Sequence, residues 1–294
     1  MRILVTGAGG NVAKGIIGRL RPAGHELVLT DVNQLPDVET FAGLEFHQLD
    51  IQVGVGLDKA AQGCDLLLHT PAWHGIHSRA KTEIDFWRLN VDGTFWALQA
   101  AASAGISRLV FLSSMSWFGH YEKYGFTKRV GEELCEYHRR AHGLRYVSIR
   151  PHDFTPWGDD WLNRYGGRLL KGGVDREDVL DCVDAAVNAL TRDVPTDGPE
   201  GTVVHAVRAN AFSPEQVEHW ESDPLGTAEA VFPGSAALIT KYGIDISQRP
   251  SIPEHVGAHA IGYAPTRHFG TFIAELARLD AADPDAVARM RCPY

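Results

Sequence analysis

Cysteine is scarce in this chain. Cys64, Cys135, Cys182 and Cys292 lie far apart and no two form a Cys-x-x-Cys pair, which argues against a disulfide framework and leads us to expect reduced thiols in a cytoplasm. Basic charge is also short: 28 Lys and Arg against 37 Asp and Glu leave a formal net charge of −9. That balance disfavours nucleic acid or anionic lipid as a general partner. No apolar stretch is long enough to span a bilayer, and Met1 runs straight into a strand-like segment, so no leader peptide is expected. Internal repeats and low-complexity tracts are missing as well. What remains is a 294-residue chain with 44% hydrophobic and 22% charged residues, enough for one large domain or two intimate ones.

Apolar runs alternate with helical patterns from the start. Arg2–Thr6 reads as a buried strand, followed by Gly7-Ala-Gly-Gly10-Asn-Val-Ala13 and a helix with Ile16, Ile17 and Leu20 on one face. Glycines at a strand-to-helix junction let the backbone approach a pyrophosphate, and the helix N-terminus offers N–H groups to the anion. A second strand, His25–Asp31, ends on a carboxylate 24 residues after Gly7. An acid there accepts from ribose hydroxyls and repels a 2′-phosphate, which favours NAD over NADP. Further strands are expected at 44–49, before Asp50-Ile51, and at 64–69, before Thr70-Pro71-Ala72. Alternation of this kind predicts a parallel sheet, with ligands at the carboxyl ends of its strands.

The chemistry is expected in Ser113–Lys128, between the strand Arg108–Leu112 and a helix predicted over Thr127–His142. Ser114 stands just past the strand. Tyr124 and Lys128 are four apart, one helical turn, so phenol and ammonium share a face. A neighbouring cation stabilises phenolate and lowers a phenol pKa from about 10, giving an acid/base for neutral pH. Ser114 then holds the substrate oxygen against the phenol.

These ordered motifs resemble the extended short-chain dehydrogenase/reductase family, the NAD-dependent epimerase/dehydratase group. Thr6–Ala13 is similar to its glycine loop and Asp31 to its NAD-selecting acid. Asp50-Ile51 is similar to its adenine-contacting pair, and His69–Ala72 to the segment after its fourth strand. Asn90-Val-Asp-Gly-Thr94, Ser113–Gly119 and Tyr124-Gly-Phe-Thr-Lys128 complete the set, over about residues 1–158. The resemblance implies a Rossmann-like, doubly wound parallel α/β sheet with a smaller, interleaved substrate-binding lobe. It places NAD against Gly7, Gly10, Asn11, Val12, Asp31, Asp50, Ile51, Thr70, Pro71, Ala72, Leu112, Tyr124, Lys128 and Pro151. It makes Tyr124 the acid/base, Lys128 the grip on the nicotinamide ribose and Ser114 the substrate-oxygen ligand. Two departures stand out. Only nine residues separate Ser114 from Tyr124, where sugar-nucleotide members carry a longer loop. Ser-Met-Ser at 114–116 replaces the Thr-Asp-Glu of the 4,6-dehydratases.

Substrate contacts are expected from Trp73, His74, Ser114, Trp117 and Asp153, with His120 beside them in a partly aromatic pocket. Loop packing is the alternative for the aromatic members. His69, His74 and His77 fix no ligand geometry, so no metal is expected. The NAD-binding domain is expected at 1–151 and 174–208, and the substrate lobe at 152–173 and 209–294. Val91, Phe95, Leu98 and Ala102 form one helical stripe, and Val130, Leu134, Tyr137 and Ala141 another. The stripes either pair across a homodimer axis, as in the family, or cover the sheet. The leading expectation is an NAD-dependent oxidoreductase acting between a secondary alcohol and its ketone. A sugar epimerase that retains NAD is the first alternative, and a non-catalytic NAD-binding regulator the second.

The strand-end carboxylate gives the first testable expectation. Binding titrations of the wild type should favour NAD over NADP, and Asp31→Ala should narrow that preference. A wild type that prefers NADP would show that the end of the second strand is misplaced.

Overall fold

The computed structural model describes residues 1–118, 122–154, 161–192, 200–287 and 289–290, with the backbone alone at 117 and 118. Seven strands form one sheet: β1 (Arg2–Thr6), β2 (Glu26–Asp31), β3 (Glu45–Gln48), β4 (Leu66–His69), β5 (Arg108–Leu112), β6 (Arg145–Pro151) and β7 (Gly201–Ala206). Their order is β3-β2-β1-β4-β5-β6-β7, and every pairing from β1 to β6 is parallel. The chain moves outward from β1 to β3, then returns to lay β4 against the other side of β1, with Thr6 opposite His69. This reversal opens a crevice at the carboxyl ends of β1 and β4. Ile3, Leu4 and Val5 are wholly buried, as in a strand covered on both faces. β3 and β4 are shorter than the sequence suggests, at four residues each.

The helices that support the site are α1 (Asn11–Leu20), α2 (Leu57–Ala61), α3 (Glu83–Trp87), α4 (Gly93–Ala104) and α5 (Lys123–His142). A π-helical segment, Arg88–Asp92, joins α3 to α4. α5 begins four residues earlier than the hydrophobic periodicity predicts, because Glu122 caps it. Its carboxylate accepts from Tyr124 N at 3.0 Å and Gly125 N at 2.6 Å, satisfying amides that have no partner within the helix.

The hydrophobic stripe left the buried face of α5 open. Tyr124, Gly125, Thr127, Lys128, Gly131, Glu132, Cys135 and His138 point inward. The apolar stripe covers the sheet only in part: Leu134 packs against the core and Val130 is half-buried, while Tyr137 and Ala141 are exposed. On α4, Leu98 joins the core with Ala97 and Ala101, while Phe95 and Ala102 stay half-buried. α5 can bury polar residues because it lies close to the sheet and its charges are matched. A Cβ at Gly131 would stand 2.6 Å from Phe111 of β5. Glu132 accepts from Arg150 Nε and Nη2, at 2.8 and 2.5 Å, and from the Ser148 hydroxyl at 3.1 Å.

The described chain divides into two compact units. One comprises Met1–Pro151, Leu180–His205 and Val256–Tyr263 and contains nearly all of the sheet; the other comprises His152–Val179, Ala206–His255 and Ala264–Tyr294. After α6 (Gly167–Lys171) and α7 (Arg176–Thr191) come α8 (Pro214–His219), α9 (Pro224–Val231), α10 (Ser235–Tyr242), α11 (Ala258–Ile261), α12 (Phe269–Ala282) and α13 (Pro284–Val287). Of these, α11 belongs to the first unit. The second unit is built around Trp161, Trp220, Phe269 and Phe272. Its short helices carry little periodicity and are set by caps, with Ser213 accepting from Gln216 N and Asp223 from Gly226 N.

The Glu132–Arg150 pair supplies a stability test. Glu132→Ala leaves a buried guanidinium without its carboxylate and should cost about 3–5 kcal/mol in denaturant unfolding, whereas Glu132→Met with Arg150→Met should recover most of it. A single-variant loss below about 1 kcal/mol would show that the pair is solvated in solution.

Candidate active site

At the end of β1 the chain turns through Gly7, whose φ of +71° favours glycine. A Cβ there would lie 2.9 Å from Pro71 Cγ, so the glycine loop and the β4 loop can approach only because this side chain is absent. Gly10 N donates to Gly7 O, and α1 starts with Gly10 as its N-cap, without a side-chain cap. Asp31 is fixed beside this turn. One carboxylate oxygen accepts from Gly9 N at 2.9 Å, the other from Asn33 N at 2.9 Å.

These elements enclose a cavity of about 490 Å³. Of the residues expected to hold a dinucleotide, Gly7, Gly10, Asp31, Asp50, Ile51, Thr70, Pro71 and Ala72 line it, as do Trp73 and His74. Val12 is buried beneath the loop, Asn11 is partly buried at the start of α1, and Leu112 and Pro151 are buried at the ends of β5 and β6. Sequence reasoning missed Gly9, Lys14, Asn33, Leu35, Gln52 and Leu89, which also line the cavity. Gly9 and Lys14 lie in or beside the glycine loop, where proximity was the available signal; Asn33, Leu35 and Gln52 sit on loops without a motif, and Leu89 lies in the π-helical segment. A cradle that a Cβ would fill, an uncapped helix start and a fixed carboxylate fit a dinucleotide.

The β4 loop forms the adjoining wall, and buried polar residues hold it. His69 bridges Thr6 Oγ1 at 2.8 Å and Thr94 Oγ1 at 3.1 Å. Thr94 donates to the Asn90 carbonyl, so it accepts from His69 Nε2–H, and Nδ1 receives the Thr6 hydroxyl. Burial, and secondarily the Lys128 charge, push His69 down to about 3, making it a neutral strut. Asn90 accepts from Trp73 N at 2.8 Å, donates to Trp73 O at 3.1 Å and donates to Thr127 Oγ1 of α5 at 2.9 Å. Lys123 holds the far end of the loop, donating to Ser78 O and Lys81 O at 2.7 and 2.6 Å. Among the described residues, no cluster of three or more His, Cys, Asp or Glu could hold a metal.

Ser114, Tyr124 and Lys128 are all buried. The Ser114 side chain lies near enough to the Tyr124 phenol to act on its pKa and accepts from Ser116 N at 3.1 Å. The electrostatics differ from the expectation of a phenol acidified by its lysine. Lys128 Nζ turns to the Leu112 carbonyl at 2.6 Å and lies 5.1 Å from the Phe111 ring centroid. Burial lowers Lys128 to about 7, against the opposing charges of Glu132 and Cys135. Tyr124 goes up instead, to about 12. Burial is the main cause and the Glu122 carboxylate adds to it, while Ser114 pulls the other way. Without a cofactor the phenol is therefore neutral. Its remaining polar neighbour is His74, whose Nδ1 lies 3.4 Å from the phenol oxygen.

Three expected substrate contacts cannot be placed beside this group. The Trp117 side chain and His120 lie outside the described residues. Asp153 belongs to the second unit, where it pairs with Arg168.

The family model for NAD-dependent epimerases and dehydratases matches residues 3–158. Uronate dehydrogenase of Pseudomonas syringae pv. tomato is 28% identical over 165 residues, 51% of this chain and 58% of that protein. UDP-glucose 4-epimerase of Streptomyces lividans is 29% identical over 166 residues, half of each chain. The match thus spans little more than half the length of these relatives. The dTDP-glucose 4,6-dehydratase DesIV of Streptomyces venezuelae, solved with NAD, superposes with a TM-score of 0.66 at 17% identity, over 97% of this chain and 98% of its own. That likeness is one of fold.

The buried lysine makes stability depend on pH. Its pKa is lower folded than unfolded, so between about pH 7 and about pH 10 the unfolded chain holds a proton that the folded chain lacks, and stability rises with pH. Relative to Lys128→Met, the wild type should gain stability as pH rises through that window, as read by denaturant midpoints. A flat difference would show that the ammonium is solvated.

Proposed function

The chain belongs to the NAD-dependent epimerase/dehydratase family, and we propose that within it the protein is a net dehydrogenase, oxidising a secondary alcohol of a sugar-derived substrate such as a uronate. The convergence of Ser114, Tyr124 and Lys128 next to a cavity walled by the glycine loop and Asp31 carries this reading. Asp31 and the glycine loop hold the adenosine and pyrophosphate side of NAD, which when bound supplies the hydride acceptor. Ser114 orients the substrate oxygen. Tyr124 takes the hydroxyl proton on oxidation and returns one on reduction. Lys128, held by the Leu112 carbonyl, places positive charge in a dry site, where it acts on developing negative charge more strongly than in water.

Two observations favour net redox over epimerisation. The connection between Ser114 and Tyr124 is short, leaving less cover for a nucleotide-sugar. Residues 144–158 lack the asparagine common in nucleotide-sugar epimerases and carry His152 and Asp153 instead. A homodimer through α4 and α5 belongs to the same proposal, supported by the exposure of Trp96, Phe126 and Tyr137 on those helices. So does a cytoplasmic location, in keeping with three buried free cysteines.

The protein is expected to purify largely without cofactor and, with added NAD and D-glucuronate or D-galacturonate, to form NADH in proportion to product. Tyr124→Phe should bind NAD as the wild type does and lose about 10²-fold or more in turnover. Tightly retained NAD with inversion of UDP-glucose and no free NADH would make the protein an epimerase. Full turnover in Tyr124→Phe would remove Tyr124 from the mechanism.

A further inference from the structure

Tyr124 is a buried acid/base whose proton must reach solvent, and the lysine one turn away faces a backbone carbonyl. The phenol is wedged between α5 and the β4 loop. Its ring is 5.5 Å from that of His74 and 6.5 Å from that of Phe86, and its oxygen is within reach of Ser114 and of His74 Nδ1. A hydroxyl can pass a proton on only by taking another; an imidazole can take one at Nδ1 and release one at Nε2. His74 is also held in place. Its backbone N–H donates to His77 Nδ1 at 2.9 Å, and the preceding residue is clamped through its N–H and carbonyl by Asn90. The residue is partly exposed and borders the cavity.

Resting on the dehydrogenase reading, we propose that His74 is the positioning and relay residue through which Tyr124 loses and regains its proton. In oxidation the substrate O–H bond breaks as the C=O bond forms, and that proton moves to the Tyr124 oxygen. The phenol's own proton passes to His74 Nδ1, and the imidazolium sheds its Nε2 proton to water. The hydride leaves for NAD, so the alcohol gives up one proton and one hydride and the balance closes.

The charged and titratable groups acting on His74 are Lys128 and Tyr124 from α5 and His77 from its own loop. Burial, then Lys128, then His77 push it down to about 4, so at neutral pH it is a neutral acceptor. A proton passing from the raised phenol to the lowered imidazole goes uphill. His74 serves as a carrier and not a resting place.

The relay can be read without substrate or cofactor, from exchange of the Tyr124 hydroxyl proton with solvent, followed at its ζ-carbon by NMR in mixed H₂O and D₂O. His74→Gln keeps a polar side chain of similar reach but cannot carry a proton, and should slow exchange about tenfold or more. In His74→Ala, added imidazole should restore exchange in proportion to its neutral form, and restore turnover on D-glucuronate where the wild type shows it. Wild-type exchange in His74→Gln overturns the relay, as does slowed exchange in a folded His74→Ala that imidazole leaves slow. If His74→Ala does not fold, the glutamine variant decides alone. His74-dependent exchange in a protein with no dehydrogenase activity would keep the relay and reject the dehydrogenase reading.

Discussion

Burial of the Lys128 ammonium is the constraint around which the rest of the site is arranged. A cation taken out of water needs a dipole or a counter-charge, and the fold supplies both: the Leu112 carbonyl at the end of β5 and, one turn along α5, Glu132. Glu132 in turn needs matching, and Arg150 and Ser148 of β6 provide it. The inner face of α5 is therefore a polar column laid across two strands. Its correct docking fixes Tyr124 at one end and the ends of β5 and β6 at the other.

A column of this kind specifies position better than an apolar face, because each group has a defined partner and a shifted register would leave charges unpaired. The β4 loop is held in the same way. Asn90, in the π-helical segment, links the Trp73 backbone to Thr127, which donates to the Tyr124 carbonyl. Lys123 ties the other end of the loop to the start of α5. Loop and helix thus meet as a single wall, and His74 reaches the phenol oxygen from it.

The glycine loop works on the other side of the crevice by absence of side chains. Its approach to Pro71 and the Gly9 amide on Asp31 bring together strand ends that are distant in sequence. Pairing Gly9 with Asp31 holds the carboxylate where ribose recognition requires it, and a β1–β2–β4 neighbourhood follows from the strand order.

The sequence alone determined the alternating strands and helices, the glycine junction, the carboxylate at the end of β2, and the sharing of one helix face by Tyr124 and Lys128. Each is a local property: burial on both faces of a strand, backbone freedom at a turn, or a spacing of one turn. What it misjudged or left open depends on partners far along the chain. Amphipathicity left open which face of α5 is buried, and it was decided by the polar residues that β5 and β6 match, with Tyr137 and Ala141 left exposed. The start of α5 was misplaced because Glu122 is a cap, which hydrophobic periodicity does not register. The direction of the Tyr124 and Lys128 pKa shifts was likewise open to the tertiary structure alone, since four-residue spacing permits a contact but burial and the Leu112 carbonyl decide where the ammonium goes. The second unit was least legible, its short helices being set by caps and by aromatic side chains that meet only in the folded chain.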